Sequence, residues 1–277
     1  MAARLMADSQ DTPERRRVLE ARVQAQADSQ ALTQSDDALG AQVAAATHGV
    51  SLGAPPISSA DASAGPLVTP QVVRPDYWER ACADLVKRDR ILKKLIPQCG
   101  PAHLKTRGDP FATLARSIVG QQISLKAAQA VWDRLLAACP QMHPVAMLAL
   151  GYDRVAACGL SKRKAEYILD LAQHFEGGLL HVDAWANMDD EDVIAELTQI
   201  RGIGRWTAEM FLIFNLMRPD VLPLDDLGLI KAIGFNYFSG EPVTRSEARE
   251  VAANWEPWRT VATWYMWRSL APLPVVY

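Results

Sequence analysis

The chain has 277 residues and a formal net charge of −3, and all twenty of its Phe, Trp and Tyr residues lie at or after Tyr77. Nothing before that point can build a large core, whereas the 201 residues from 77 onward, with 23 basic and 23 acidic side chains, are long enough for one large domain or two small lobes. Four cysteines, at 82, 99, 139 and 158, form no CxxC pair, which argues against a disulfide framework and an ordinary zinc site; no apolar run approaches the ~20 residues of a membrane span, so a reducing, cytoplasmic setting is expected.

Residues 1 to 74 are rich in Ala, Gln, Ser and Asp and end in a Gly/Pro/Ser-rich stretch from Gly49 to Pro70, a composition that cannot offset chain entropy by burial. A disordered tail is expected there, with a partner-docking segment as the alternative. From Pro75 apolar residues recur at three and four, and almost nothing alternates with period two. Caps and prolines place helices at Pro75 to Lys87, Asp89 to Ile96, Asp109 to Val119, Ser124 to Ala138, His143 to Leu150 and Asp153 to Cys158. Others follow at Ser161 to Phe175, Asp189 to Thr198, Arg205 to Met217, Asp225 to Ile233, Ser246 to Asn254 and Trp258 to Leu270. The expected fold over 75–277 is all-α, a two-lobed helical bundle whose cleft holds a ligand.

The segment Leu197 to Met210 carries the chemistry: a helix ends, Gly202-Ile203-Gly204 turns, and a second helix opens at Arg205. Glycines let a backbone turn tightly and approach another molecule, and the first amides of the second helix make an anion site suited to phosphate. A plain helix connection is the rival reading; Ile200 and Ile203, placed to pack a hairpin, favour the first. Farther on, Pro223-Leu-Asp-Asp-Leu-Gly228 sets two carboxylates between an apolar run and a new helix. Asp225 is expected to cap that helix, since Asx side chains accept first-turn amides, leaving Asp226 as the spare carboxylate.

Together Ile200-Arg-Gly-Ile-Gly-Arg-Trp-Thr-Ala208, Pro-Leu-Asp-Asp-Leu-Gly, and Trp255-Glu-Pro-Trp-Arg259 with Trp264 and Trp267 resemble the helix-hairpin-helix DNA glycosylases, and within them the DNA-3-methyladenine glycosylase II branch. Ser117 to Ser124 and Gly159 to Lys164 agree with that resemblance, which covers about residues 77 to 271. It implies a helix-hairpin-helix motif, Asp226 as catalytic carboxylate, and Trp206, Met210 and Trp267 around the base pocket, Met210 standing where a relative has an aromatic. It implies DNA contacts from Arg201, Gly202, Gly204, Arg205 and Thr207, and from Gln122, where the family fills the gap left by a flipped nucleotide. The carbonyls of Thr198, Ile200 and Ile203 match positions that hold a monovalent cation, a structural aid and not a catalytic metal.

Bifunctional relatives carry a Lys where this chain has Trp206, and without an amine there is no Schiff-base route to strand cleavage. The four C-terminal cysteines of the iron-sulfur branch are also missing. The expectation is a monofunctional, monomeric hydrolase without a cofactor, removing 3-methyladenine and 7-methylguanine from double-stranded DNA in base excision repair and having no membrane partner. A glycosylase for uracil or hypoxanthine, and a non-catalytic DNA-binding scaffold, are the alternatives. The neutral domain weighs against an extended phosphate-binding surface, although Arg201, Arg205 and Lys162-Arg163-Lys164 could give a local footprint. Six tryptophans are expected in packing roles: Trp78, Trp132 and Trp185 in the core, and Trp255, Trp258 and Trp264 along the last helices.

Overall fold

The computed structural model describes residues 74–106 and 108–270, so the expected N-terminal tail lies almost wholly outside the described residues. Those residues form helices and no strand. In chain order they are α1 (Trp78–Arg88), α2 (Leu92–Gln98), α3 (Pro110–Gly120), α4 (Leu125–Ala138), α5 (Pro144–Ala157) and α6 (Lys162–Glu176), then a 3-10 turn (Val182–Ala184), α7 (Asp190–Leu197), α8 (Arg205–Phe214), α9 (Leu227–Tyr237), α10 (Arg245–Ala253) and α11 (Arg259–Leu270). Among these residues no helix is long and apolar enough to cross a membrane.

The helices sort into two lobes. In one, α6 lies against both α3 and α5, α4 joins α3 to α5, and α7 pairs with α8. In the other, α11 packs on α1, α2 and α9, and α10 closes against α9. Each lobe is centred on aromatics. Trp185 meets Phe175 and Phe211 edge to face at 6.2 and 5.3 Å, and Trp78 meets Trp264 the same way at 5.2 Å, geometries that add about 0.5–1.5 kcal/mol each beyond the area buried. All six tryptophans expected to pack are buried. Trp206 and Trp267 are the two that remain half-exposed.

Local chemistry explains most helix ends. Asp109, Ser124 and Ser161 accept first-turn amides of α3, α4 and α6, and Pro110 and Pro144 open α3 and α5 where a missing N–H costs nothing. Some boundaries differ from the sequence reading, α9 running four residues past the expected Ile233. The two helices expected on either side of Gly151 are both present within α5, whose helical backbone is interrupted at Gly151 (φ 72°, ψ 169°) and resumes beyond it. Helix α8 stops at Phe214, three residues early: Asn215 Nδ2 donates instead to the carbonyl of Gly108 at 2.8 Å, and Met217 turns left-handed at φ 55°. Helix α10 starts one residue sooner, behind a reciprocal cap in which Thr244 and Glu247 satisfy each other's backbone amides.

Candidate active site

The link from α8 to α9 is pinned before it reaches the site. Arg259, opening α11, donates through Nε and Nη2 to the two oxygens of Asp220 at 2.8 and 2.9 Å, and the Val221 amide donates to Thr260 Oγ1 at 2.9 Å. Asp226 then closes the turn, its amide donating to the Pro223 carbonyl at 3.0 Å, and begins α9. The junction of the lobes thus has a carboxylate on a fixed backbone.

Asp226 is 3% exposed. Its Oδ1 accepts the Leu229 amide at 2.6 Å and Trp267 Nε1–H at 2.8 Å, while Oδ2 accepts Trp206 Nε1–H at 3.0 Å. The expectation that Asp225 caps this helix is therefore corrected. Asp226 has the extended φ/ψ of an N-cap and does the capping itself, and Asp225 points outward, half-exposed, to Arg245 Nε at 2.8 Å. One oxygen can serve both helix and site because a carboxylate accepts along several lone pairs. Trp206 and Trp267 come from different lobes and meet on this one group. Their expected π role is narrowed as well: Trp267 has one face stacked on Phe214, centroids 5.9 Å apart at 14°, and the polar edges of both indoles are engaged by the carboxylate. Met210 follows Trp206 by four residues, hence on the same face of α8, half-buried against the core.

The hairpin has the expected turn. Ile200 and Ile203 are buried at 1% and 4% exposure, and Gly202 takes φ 88° with Tyr167 so close that a Cβ would lie 2.3 Å from its ring. Gly204 is different. Its φ of −98° suits any residue, and a Cβ there meets nothing within 4 Å; what its bareness leaves is room in front of α8. As N-cap it has no side chain to offer, so the first-turn amides of Arg205, Trp206 and Thr207 have no capping acceptor. That is an anion cradle. Thr207 can contribute only its amide, because its side chain is buried.

The expected basic footprint is already paired. The Arg201 guanidinium donates to Glu166 at 3.3 Å, and its amide to Asp170 Oδ2 at 2.8 Å. Arg205 binds Glu191 through both terminal nitrogens and reaches Glu209 Oε1 at 3.2 Å. The guanidiniums are half-exposed, and such surface pairs are worth about 0–1 kcal/mol, so a phosphate can compete for them. The basic triplet separates: Arg163 turns to the Tyr167 hydroxyl at 2.9 Å, and Lys164 is drawn inward. Gln122 sits exposed between α3 and α4 at φ 56°.

A family model for HhH-GPD superfamily base excision DNA repair proteins matches residues 115–258. This chain belongs to that family. DNA-3-methyladenine glycosylase 1 of Schizosaccharomyces pombe is 33% identical over 184 residues, covering 64% of this chain and 80% of that protein. A DNA-3-methyladenine glycosidase from Bacillus halodurans superposes with TM-score 0.66 at 34% identity, covering 71% of this chain and 92% of the other. The S. pombe 3-methyladenine DNA glycosylase in complex with abasic DNA gives 0.60 at 30% identity, covering 69% and 96%.

Within this HhH-GPD frame the match takes in the hairpin and Asp226, while Trp267 lies beyond the matched span and is tied to the site by its hydrogen bond to Asp226 and its stacking on Phe214. The carbonyls of Thr198, Ile200 and Ile203 all belong to the hairpin turn; that of Ile200 accepts the Ile203 amide at 3.1 Å and keeps a second lone pair. Neutral oxygens fit a hard monovalent cation in donor chemistry. Among the described residues no group of His, Cys, Asp or Glu could hold a metal ion. Sequence reasoning missed Phe214 and Glu209, and placed Lys164 in a surface footprint where the structure turns it inward. Burial pushes Glu209 up to about 7 against the opposing pull of Arg205, and its Oε2 has no hydrogen-bond partner among the described residues. Its i, i+4 spacing from Arg205 was a legible signal for the pair but not for the burial.

Proposed function

We propose that this chain is a monofunctional DNA glycosylase of the 3-methyladenine type, hydrolysing the N-glycosidic bond of alkylated purines in double-stranded DNA during base excision repair. The observation that carries it is Asp226: a carboxylate 3% exposed, held by two indole N–H groups from opposite lobes beside an uncapped hairpin helix. A DNA-binding scaffold needs the hairpin but has no use for such a carboxylate.

The hairpin amides bind a phosphate and fix the register of the duplex. A monovalent cation on the Thr198, Ile200 and Ile203 carbonyls would add positive charge at that turn. The target nucleotide must leave the stack, at a few kcal/mol, less where damage has weakened its pairing, and Gln122 fills the gap. A purine alkylated at N3 or N7 is cationic and departs with the bonding electron pair as a neutral base, so it needs little general-acid help. What develops is positive charge on the sugar. Asp226, fixed in a dry site, stabilises that charge and orients the water that adds to C1′, releasing one proton. The half-exposed indoles of Trp206 and Trp267 favour a cationic base by about 0.5–2 kcal/mol each.

The test is single-turnover release from duplexes carrying 3-methyladenine, 7-methylguanine, hypoxanthine, uracil or 8-oxoguanine, with borohydride present in a parallel set. Methylated purines should leave fastest and no covalent adduct should form. Preferential release of uracil, or a trapped enzyme–DNA adduct, would defeat the proposal.

A further inference from the structure

The loop that carries Gln122 is held from two sides. It has only three residues, Gln121 to Ile123, between the end of α3 and the Ser124 cap of α4, and Gln122 at its apex is in left-handed backbone. From α6, Lys164 Nζ donates to the carbonyls of Val119, near the end of α3, and of Gln121, next to that apex, at 2.8 and 2.5 Å. From the loop itself, Gln121 Nε2 donates to the carbonyl of Gly202 at 2.8 Å, on the phosphate-binding turn. Helix α6 also carries Tyr167, whose ring lies against Gly202, and Asp170, which accepts the Arg201 amide. One helix therefore holds both the hairpin turn and the gap-filling loop, and a side-chain amide ties the two together.

We propose that Lys164 and Gln121 are positioning residues that set Gln122 at a fixed offset from the phosphate bound by the hairpin, so that seating the backbone delivers the Gln122 side chain into the gap left by an extruded nucleotide. The proposal rests on the glycosylase reading for its purpose, but not for its test. A lysine is the suitable group, since an ammonium has three donors and a positive charge that suits the carbonyl end of α3. Its burial lowers the Lys164 ammonium's hold on its proton, the mark of a side chain withdrawn from solvent. Gln121 suits the other contact because only its amide nitrogen can meet a carbonyl.

Binding separates this role from a merely structural one. Affinity is measured for an undamaged duplex and for the same duplex with one stable abasic-site analogue, using the full chain as wild type, Lys164→Met, Gln121→Leu, Gln122→Ala and the Lys164→Met/Gln122→Ala double variant. Wild type should prefer the abasic duplex. Each single variant should lose about tenfold of that preference while affinity for the undamaged duplex stays within threefold, because none of them alters the first-turn amides of α8 that grip the phosphate. The double variant should be no worse than Gln122→Ala, since Lys164 acts through Gln122. An intact preference in both Lys164→Met and Gln121→Leu, or losses that multiply in the double variant, overturns the proposal, as does a wild type with no preference. Should Lys164→Met fail to melt cooperatively, Gln121→Leu, which gives up one half-buried hydrogen bond, decides alone. A wild type that binds in this pattern yet releases no base would sink the glycosylase reading and leave the positioning roles standing.

Discussion

Replacing Trp267 by Phe separates two jobs that the indole performs at once. Phe keeps an aromatic face and can still stack on Phe214, but it deletes the N–H that reaches Asp226 Oδ1 at 2.8 Å. A hydrogen bond to a charged group contributes about 1.5–3 kcal/mol; if that orientation matters fully in the transition state, release slows roughly 10- to 150-fold. The loss should be equal for cationic and neutral bases, because in the proposed mechanism the carboxylate serves the sugar whichever base departs. Trp267→Leu removes the face as well, and should slow release of 3-methyladenine by a further ~2- to 30-fold, the cation–π share, while hypoxanthine loses nothing more. The assay is single-turnover release of both bases from otherwise identical duplexes, with binding to abasic DNA as a control for folding. If Trp267→Phe stays within twofold of wild type on both bases, the indole N–H does not hold the catalytic carboxylate. If Leu and Phe variants are equal on 3-methyladenine, the ring face does not read charge.

Asp226→Asn should abolish base release yet keep cooperative melting and abasic-DNA affinity within about tenfold, since Asn caps helices as well as Asp; Asp226→Ala should also lose roughly 1 kcal/mol of stability by thermal or denaturant melting. Asp225→Asn breaks only the exposed pair with Arg245 and should leave both stability and release nearly unchanged, a shift above about 1 kcal/mol in a denaturant melt counting against this. Gly202→Ala meets both the left-handed backbone and the Tyr167 ring, and DNA affinity in a titration should fall at least about tenfold with a lower melting point. Glu209 is raised from 4.5 to about 7, so the stability from its protonated form is fully present below pH ~4.5 and is lost as pH rises through about 7. Glu209→Gln should therefore match wild type in melts near pH 5 and exceed it near pH 8 by about 1–3 kcal/mol.

Residue type and spacing left Asp226 as a spare carboxylate, and it was the resemblance to the helix-hairpin-helix glycosylases that singled out Asp226, Trp206 and Trp267 together. Type and spacing were not enough to choose the cap between adjacent Asp225 and Asp226. Both are good caps by propensity, and the choice depends on which residue the pinned Asp220–Val221 link leaves in extended backbone. Helices were legible where periodicity was strong, and the interruption at Gly151 was legible too, since a glycine between two apolar runs marks the place where the backbone leaves the helical region. The Lys164 and Gln121 contacts were out of reach, because the latter joins residues 81 apart through one side-chain amide and leaves no periodic trace. Lys164 looked like one third of a basic surface cluster, and only the packing of α6 on α3 turns it inward.

The carboxylates beside Arg201 and Arg205 bear on ionic strength. A protein whose cations face solvent exchanges them for the counterions condensed on DNA, and its affinity falls steeply with salt. Here each guanidinium starts on a glutamate, so if it closed on a phosphate it would free Glu166 or Glu191 to gather cations of its own. The net release of ions would then be smaller than the number of arginines at that interface. In the proposed complex the neutral amides at the head of α8 would supply a larger share of the grip, and they are indifferent to this exchange. A domain with balanced charge can in this way hold DNA with an affinity that changes little across the salt range of a cell.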